Sequence, residues 1–316
     1  MAARHPLRGT SRTRSRIEPL TDRPTAPLIA NVSDTARWVA FYRAMESERP
    51  DAVFRDPFAR RLAGDKGEAI VDAMPSGRAM AWPMVVRTAV MDEIILREVK
   101  AGVDQVVNLA AGLDARPWRL PLPAEMRWVD VDLPGILDQK LQTLAGEKTV
   151  CDYEPVRMDL AEEAPRQELF ARLGNSGKRT LVVTEGLLIY LPPEAVAGLA
   201  RDLHAQPGFA LWLMDLASPD LLKMMEKNWA PVVRAGGAPF RFGPAENTRF
   251  FAPLGWREME YRGTFDEGIR LNRTMKFAWL WRFLGNFMPK ERKEAMKRFS
   301  GIVLLERSEP SDRLTV

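Results

Sequence analysis

Only one cysteine, Cys151, and two histidines, His5 and His204, occur in 316 residues. A lone cysteine permits no internal disulfide and no cysteine-rich metal centre. With so little histidine, there is scant material for a zinc site either. A reducing, cytoplasmic setting is therefore expected. No apolar run approaches the ~20 residues needed to cross a bilayer. The most aromatic stretch, MKFAWLWRFLGNF at 275–287, is broken by Arg282 and Gly285 and reads as a core or cap helix. Internal repeats and long low-complexity linkers are missing as well.

What is present is ordinary for a globular chain: 46% hydrophobic and 28% charged residues. The pI of 9.3 would suggest a nucleic-acid partner if the charge were evenly spread. It is not. Six arginines within residues 1–23 face only Glu18 and Asp22, and the rest of the chain balances its charges. This Arg-, Ser- and Thr-rich leader has no apolar segment and does not read as a secretory signal. It reads as a disordered basic tail over 1–26, with targeting or docking as the alternative. Neither nucleic acid nor membrane is expected as a partner of the body, and the oligomeric state is open.

From Ser33 the pattern is helical: SDTARWVAFYRAMESE (33–48), a turn and short helix in FRDPFARRLAGDKGE (54–68), then a long helix over 80–102 ending at Gly102. Strands and helices alternate thereafter. QVVNLA (105–110), MRWVDVD (126–132), EPVRMDL (154–160), RTLVVTEG (179–186) and GFALWLMDLA (208–217) are each followed by a helical segment. Five apolar strands with helical crossovers predict a parallel sheet covered on both faces. WREMEYRGT (256–264) and GIVLLER (301–307) add two strands. The expectation is an α/β, doubly wound, mostly parallel seven-stranded sheet, with an N-terminal helical cap and an inserted lid. It forms one domain over 27–310, followed by a short tail at 311–316. A nucleotide domain with a separate C-terminal domain is the alternative.

In such sheets ligands sit beyond the carboxyl ends of the strands. Here those ends carry Gly112 and Asp114, Asp130 and Asp132, Asp159 and Leu160, Glu185, and Asp215. Asp132 lies twenty residues after Gly112, the spacing at which a carboxylate meets a ribose diol, unless it caps the helix opened by Leu133-Pro134; the nearby Asp130 is the other candidate for the ribose. The first loop, Ala110-Ala111-Gly112-Leu113-Asp114, lacks the glycines that cradle a pyrophosphate, and Asp114 stands where phosphate would bind. Two anions there would repel by several kcal/mol. A phosphate-free, positively charged nucleoside fits better, and S-adenosylmethionine is one. Arg87, on an otherwise apolar helix face, suits its single carboxylate, unless it pairs with Asp92 or another local acid. Asp159 and Leu160 suit the adenine edge, unless Asp159 merely caps the helix that follows.

Seven segments in order, SDTA (33–36), FRDPFA (54–59), RTAVMD (87–92), NLAAGLDARPWRL (108–120), VDVDLPGILDQK (129–140), VRMDL (156–160) and TEGLLIYL (184–191), resemble the leucine carboxyl methyltransferase family, including its bacterial branch of polyketide carboxyl methyltransferases. The resemblance implies a class I, Rossmann-like methyltransferase fold with S-adenosylmethionine as cofactor. It implies Arg87 on the methionine carboxylate, Ala110 and Gly112 against the methionine moiety, and Asp132 on the ribose. Asp159 and Leu160 would meet the adenine, and Glu185 the amino group. Two departures stand out. Ala110 replaces the family's first loop glycine, so the loop is expected to keep an ordinary backbone there or to hold the cofactor less closely. No lysine precedes Lys66, which argues against a phosphatase substrate.

Methyl transfer from a sulfonium is an in-line displacement, so positioning and desolvation carry most of the catalysis. A carboxylate acceptor needs no base; a phenol or alcohol would need one, with Glu185 or Tyr190 as the candidates. His204, in HAQPG, reads as a surface histidine at a helix end. The acceptor pocket is expected from helix 33–48, including Tyr42, and from NWAPVVRAGGAPFRFG (228–243). The latter would supply Trp229, Phe240 and Phe242 as walls, Gly236-Gly237 as a hinge, and Arg234 or Arg241 for a substrate carboxylate.

Overall fold

A computed structural model describes residues 33–235, 239–275 and 289–308, apart from the side chains of 33, 228–235 and 291. The basic leader, the C-terminal tail, nearly all of the aromatic stretch, the Gly236-Gly237 hinge, and the Trp229 and Arg234 side chains fall outside these residues.

Seven strands form one sheet: β1 (Gln105–Leu109), β2 (Arg127–Asp132), β3 (Asp152–Arg157), β4 (Thr180–Thr184), β5 (Phe209–Ala217), β6 (Trp256–Gly263) and β7 (Ser300–Arg307). Their order is β3-β2-β1-β4-β5-β7-β6. The first five run parallel, and β7 is antiparallel to both β5 and β6. The chain winds outward from β1 to β3, then returns to β4 on the other side of β1. The ends of β1 and β4 therefore flank the crevice where such sheets bind ligands. Both strands are buried along their whole length, the polar Gln105, Asn108, Thr180 and Thr184 included, as in a sheet covered on both faces.

Alternation along the strands gives each face of the sheet its own core. Val107, Val129, Val182, Trp212 and Val303 point to α6 (Glu163–Gly174) and α7 (Pro193–His204). Val106, Trp128, Leu181, Leu213 and Ile302 point to α3 (Trp82–Lys100). A third apolar cluster joins α1 (Ser33–Ser47) and α2 (Ala59–Ala73) to Leu113, Trp118 and Ile136, so the helical cap rests on the loops after β1 and β2. The remaining helices are α4 (Arg116–Arg119), α5 (Pro134–Thr143), α8 (Pro219–Ala235), α9 (Thr264–Arg270) and α10 (Lys290–Lys297). No described helix is long and apolar enough to cross a membrane.

Three elements differ from the sequence reading. The helix after β1 is a single turn, because Pro121 forces Leu120 into extended backbone, with ψ of 145°. The second helix is longer than expected and passes through a break at Gly64, where φ is 57°. β3 begins at Asp152 and stops at Arg157, which releases Met158, Asp159 and Leu160 from the sheet to face the crevice.

Candidate active site

Two left-handed residues shape the loop after β1: Ala110, with φ of 53°, and Gly112, with φ of 51°. The expectation of an ordinary backbone at Ala110 is thus wrong. The loop keeps the turn that a glycine would adopt freely, and the Ala110 methyl bears the strain. The Ala111 amide still extends the ladder, donating to the Val131 carbonyl at 3.2 Å, which ties the turn to β2. At Gly112 a methyl group would stand 3.2 Å from the Ala36 Cβ, so α1 closes tightly over this point.

The two aspartates of β2 have separate surroundings. Asp130 is fully buried and accepts from Lys140 Nζ at 2.7 Å, Trp128 Nε1 at 2.9 Å and Asn108 Nδ2 at 3.1 Å. Lys140 is itself fully buried, so this pair ties α5 to the sheet, and Asp130 is not among the residues that line the crevice. Its place as a ribose ligand is corrected on that ground: its oxygens are consumed one level deeper in the sheet. Asp132 does line the crevice. Its Oδ2 accepts from the Gly112 amide at 2.6 Å and its Oδ1 from the Leu133 amide at 2.7 Å. Burial nevertheless raises its carboxyl above the usual range, against the pull of those amides.

Beyond β4 lies a chain of alternating charges. Glu185 Oε1 accepts from Arg87 Nε at 3.1 Å, and Oε2 accepts from Arg116 Nη1 at 2.7 Å. Arg87 Nη1 also donates to Asp215 Oδ2 at 3.1 Å, while the other Asp215 oxygen takes the Gly186 amide at 2.6 Å. Gly186 is left-handed, with φ of 67°, and a Cβ there would sit 3.3 Å from Arg87 Nη1. Arg116 continues the chain to Asp114 at 2.7 Å and Asp92 at 2.6 Å, and Asp92 also holds Arg119 at 2.6 Å. Asp92 is therefore the partner of Arg116 and Arg119, while Arg87 is paired with the strand-end acids. Burial alone would push the Glu185 carboxyl up, but Arg116 and Arg87 outweigh it and hold it below the usual range. The same contest, won chiefly by Arg116, keeps Asp114 ionised.

Arg116 and Arg119 were not singled out from the sequence. In ARPWRL they resemble solvated charges of a short helix; the available signal was Arg116 standing two residues after an acid in a buried loop.

These groups face one open cavity of about 2020 Å³. Arg87, Ala110, Gly112, Asp132, Asp159, Leu160, Glu185, Tyr190, Tyr42 and Arg241 all line it. Asp159 is exposed and accepts from the Ala161 amide at 2.9 Å; that bond closes a turn ahead of α6, whose N-cap is Glu162, so Asp159 does not cap the helix. Tyr42 is buried, with its hydroxyl committed to the Gly77 carbonyl at 2.8 Å, and burial raises its pKa to about 12. Burial likewise raises the Tyr190 phenol, although contacts with Thr35 and Arg87 lower it in part. The Tyr190 ring packs 5.7 Å from that of Phe240. The Arg241 and Phe242 amides both donate to the Ile189 carbonyl, at 2.7 and 3.1 Å, which fixes the strap Pro239–Gly243 beside the end of β4. Arg241 has no ion pair among the described residues, unlike the cavity-lining Arg43, Arg87 and Arg166.

His204 lies away from the cavity. It is half-buried rather than a free surface group: its Nε2 meets the Ser308 carbonyl at 2.8 Å, and its ring stacks edge-on to Trp256. No cluster of metal-binding side chains exists among the described residues.

The profile of the leucine carboxyl methyltransferase family matches residues 36–204, just over half of the chain. A protein of Streptomyces coelicolor, named "putative S-adenosyl-L-methionine-dependent methyltransferase", is 40% identical over 182 residues, covering 54% of this chain and 64% of its own. A Mycolicibacterium gilvum protein of the same name is 38% identical over 203 residues, with 58% and 66% covered. The chain thus spans just under two thirds of these relatives. Among solved structures, a DUF574 family protein of Streptomyces avermitilis has a TM-score of 0.55 at 14% identity, covering 86% of this chain and 97% of its own. A Thermobifida fusca protein, titled a methyltransferase with the same qualifier, has 0.53 at 14% identity, covering 89% and 96%. These two share the fold.

Proposed function

The chain belongs to the leucine carboxyl methyltransferase family, and from that premise we propose that it is an S-adenosylmethionine-dependent O-methyltransferase acting on a carboxylate of a small molecule or peptide. The residues present fit the donor. Gly112 lines the crevice, and Asp132 presents a carboxylate there, fixed by two amides, as a ribose diol requires. Asp159 and Leu160, freed from β3, suit the adenine. Arg87, Glu185 and Asp215 supply one cation and two anions, a match for a zwitterionic amino-acid end. None of these places a phosphate-binding group in the loop.

When bound, the donor supplies an electrophilic methyl on a positively charged sulfur, whose C–S electron pair stays with sulfur as the new O–C bond forms. The chain's part is to orient and to exclude water. Arg116 fixes Glu185 through one oxygen and leaves the other to a partner that can change from Arg87 to an ammonium. Arg87 is then free for the donor carboxylate, and charge is conserved in the exchange. Such pre-aligned groups need no reorganisation at the moment of reaction.

The observation that carries the choice of a carboxylate is the state of the cavity's titratable groups. Glu185 is held ionised between two arginines and its pKa lies below the usual range, so it is a weak base. The Tyr190 phenol is raised and stays protonated near neutrality. An acceptor with a pKa of ~4 is already ionised at pH 7 and asks nothing of either group. Arg241 is the cation available to hold it.

Transfer of radiolabelled methyl to a panel of carboxylic acids and phenols between pH 6 and 9 tests this reading. Label that mild alkali releases as methanol, formed at a rate nearly flat with pH, is the expected result. Label in an alkali-stable ether, at a rate climbing with pH, would replace the carboxylate reading with the hydroxyl one.

A further inference from the structure

The cavity is too large for the donor alone. Its volume of about 2020 Å³ exceeds the ~300–1,000 Å³ of an ordinary ligand pocket. The proposed donor groups come from α3 and the ends of β1 to β5; beyond them the lining continues over α1 and α7 and, on the other half of the sheet, over α8 after β5, the segment around α9 after β6, and α10 before β7. That half is rich in methionine. Met224 and Met225 on α8, Met275 beyond α9, Met296 on α10, Met80 just before α3 and Met84 in its first turn all line it. The α3 residues belong to the same wall, since Trp82 and Thr274 approach the same point beside Gly268.

Three of these side chains are unusually open. Met224, Met275 and Met296 are 39%, 41% and 43% exposed, and they make up three of the five exposed large hydrophobics among the described residues. Open apolar groups gathered on one cavity mark a ligand surface rather than scattered surface residues. Among the polar groups of the same half, the Thr264 and Ser300 hydroxyls meet at 3.0 Å, and Lys297 pairs with Glu294 at 3.1 Å on the open face of α10. Methionine, unbranched and polarizable, adapts to a ligand with many conformers, whereas a rigid ring system would call for a pre-shaped wall.

We propose that the acceptor is an acid with a long, flexible hydrocarbon chain, lying along this methionine-lined half while its carboxylate is presented beside Arg241 and the end of β4. The proposal rests on the carboxylate reading above and adds the identity of the rest of the molecule. No proton or further reactant is involved.

The test is a series of straight-chain saturated acids from four to sixteen carbons, each kept below its micelle concentration. Their binding to the protein saturated with S-adenosylhomocysteine is measured by calorimetry, and methyl transfer is followed in parallel. Kd should fall, and kcat/KM rise, roughly two- to fourfold per added methylene before reaching a plateau. Met224→Gln and Met296→Gln, both at open positions, should weaken the longest acids roughly tenfold and shallow the chain-length slope. Transfer to acids with no dependence on length, or a preference for the shortest, overturns the chain proposal and leaves the carboxylate reading intact. Transfer to no acid of any length overturns both.

Discussion

Arg87 reaches from α3 to the end of β4, its Nε 3.1 Å from Glu185 Oε1, so the cavity's principal cation begins as part of an ion pair. In the proposed exchange that bond is given up for the donor carboxylate. Arg87→Met, which keeps much of the side-chain volume, should therefore weaken S-adenosylhomocysteine binding by roughly 10- to 100-fold, the value of a lost charge-assisted hydrogen bond. Arg87→Lys should fall between, because a point charge cannot replace the planar fork. Calorimetry reads both. A lower melting temperature with unchanged affinity would reduce Arg87 to a structural ion pair.

The two aspartates of β2 should separate cleanly. Asp132→Asn keeps one acceptor oxygen for the Gly112 or Leu133 amide but turns a donor NH2 toward the other and loses the charge facing the crevice, so donor affinity should drop about tenfold with a stability cost smaller than that at Asp130. Asp130→Asn leaves Lys140 buried without its countercharge, and the expected cost is about 3–5 kcal/mol of folding free energy. Urea denaturation and calorimetry on both variants give the test. If Asp130→Asn loses affinity while keeping stability, the assignment of the ribose is reversed.

Ala110 stands in left-handed backbone with φ of 53°. A methyl group in that conformation costs about 1 kcal/mol that glycine avoids, although glycine gives back part of it through the freer unfolded chain. Ala110→Gly should raise stability by a few tenths to about 1 kcal/mol, visible as a small rise in melting temperature. A fall would show that packing around the methyl outweighs its strain.

Why this strain was not legible in the sequence is instructive. Residue type argued for ordinary backbone at Ala110, but β1 and β2 pair in fixed register, and the Ala111 amide is held to the Val131 carbonyl. Tertiary geometry overrode local preference. The strands themselves were legible because β1 and β4 carry short apolar runs rich in β-branched residues, Val106-Val107 and Leu181-Val182-Val183, each followed by a helical segment. So was the gathering of acids at the strand ends, since topology alone brings them together. Which of Asp130 and Asp132 faces the crevice was not legible, because both stand on β2 with the same parity and only the depth of Lys140 separates them. The arginine chain through Arg116 and Arg119 escaped for a related reason: a buried arginine is recognisable only once its acids are seen around it.

Acid should dismantle this network in a definite direction. The Glu185 carboxyl lies below its ordinary 4.5, and Asp114 is likewise held down by its arginines. A carboxylate whose folded pKa is depressed contributes stability that is complete above the unfolded value and is lost as pH falls through the folded one. Asp132 has the opposite sign. Burial raises it above 3.8, so its ionised form costs stability that protonation returns. Two lowered groups against one raised group leave a net loss on acidification. The urea midpoint should hold steady from neutrality to about pH 5 and decline below about 4.5. Glu185→Gln should lower stability at pH 7, because Arg87 and Arg116 lose a shared countercharge, and should make the acid decline shallower, because one depressed group is gone. A decline as steep as that of the parent protein would place the acid-sensitive step outside the Glu185 cluster. Donor affinity follows Asp132 instead, weakening from above the ordinary aspartate value as its raised carboxyl takes up a proton, and the two profiles are therefore separable in one titration series.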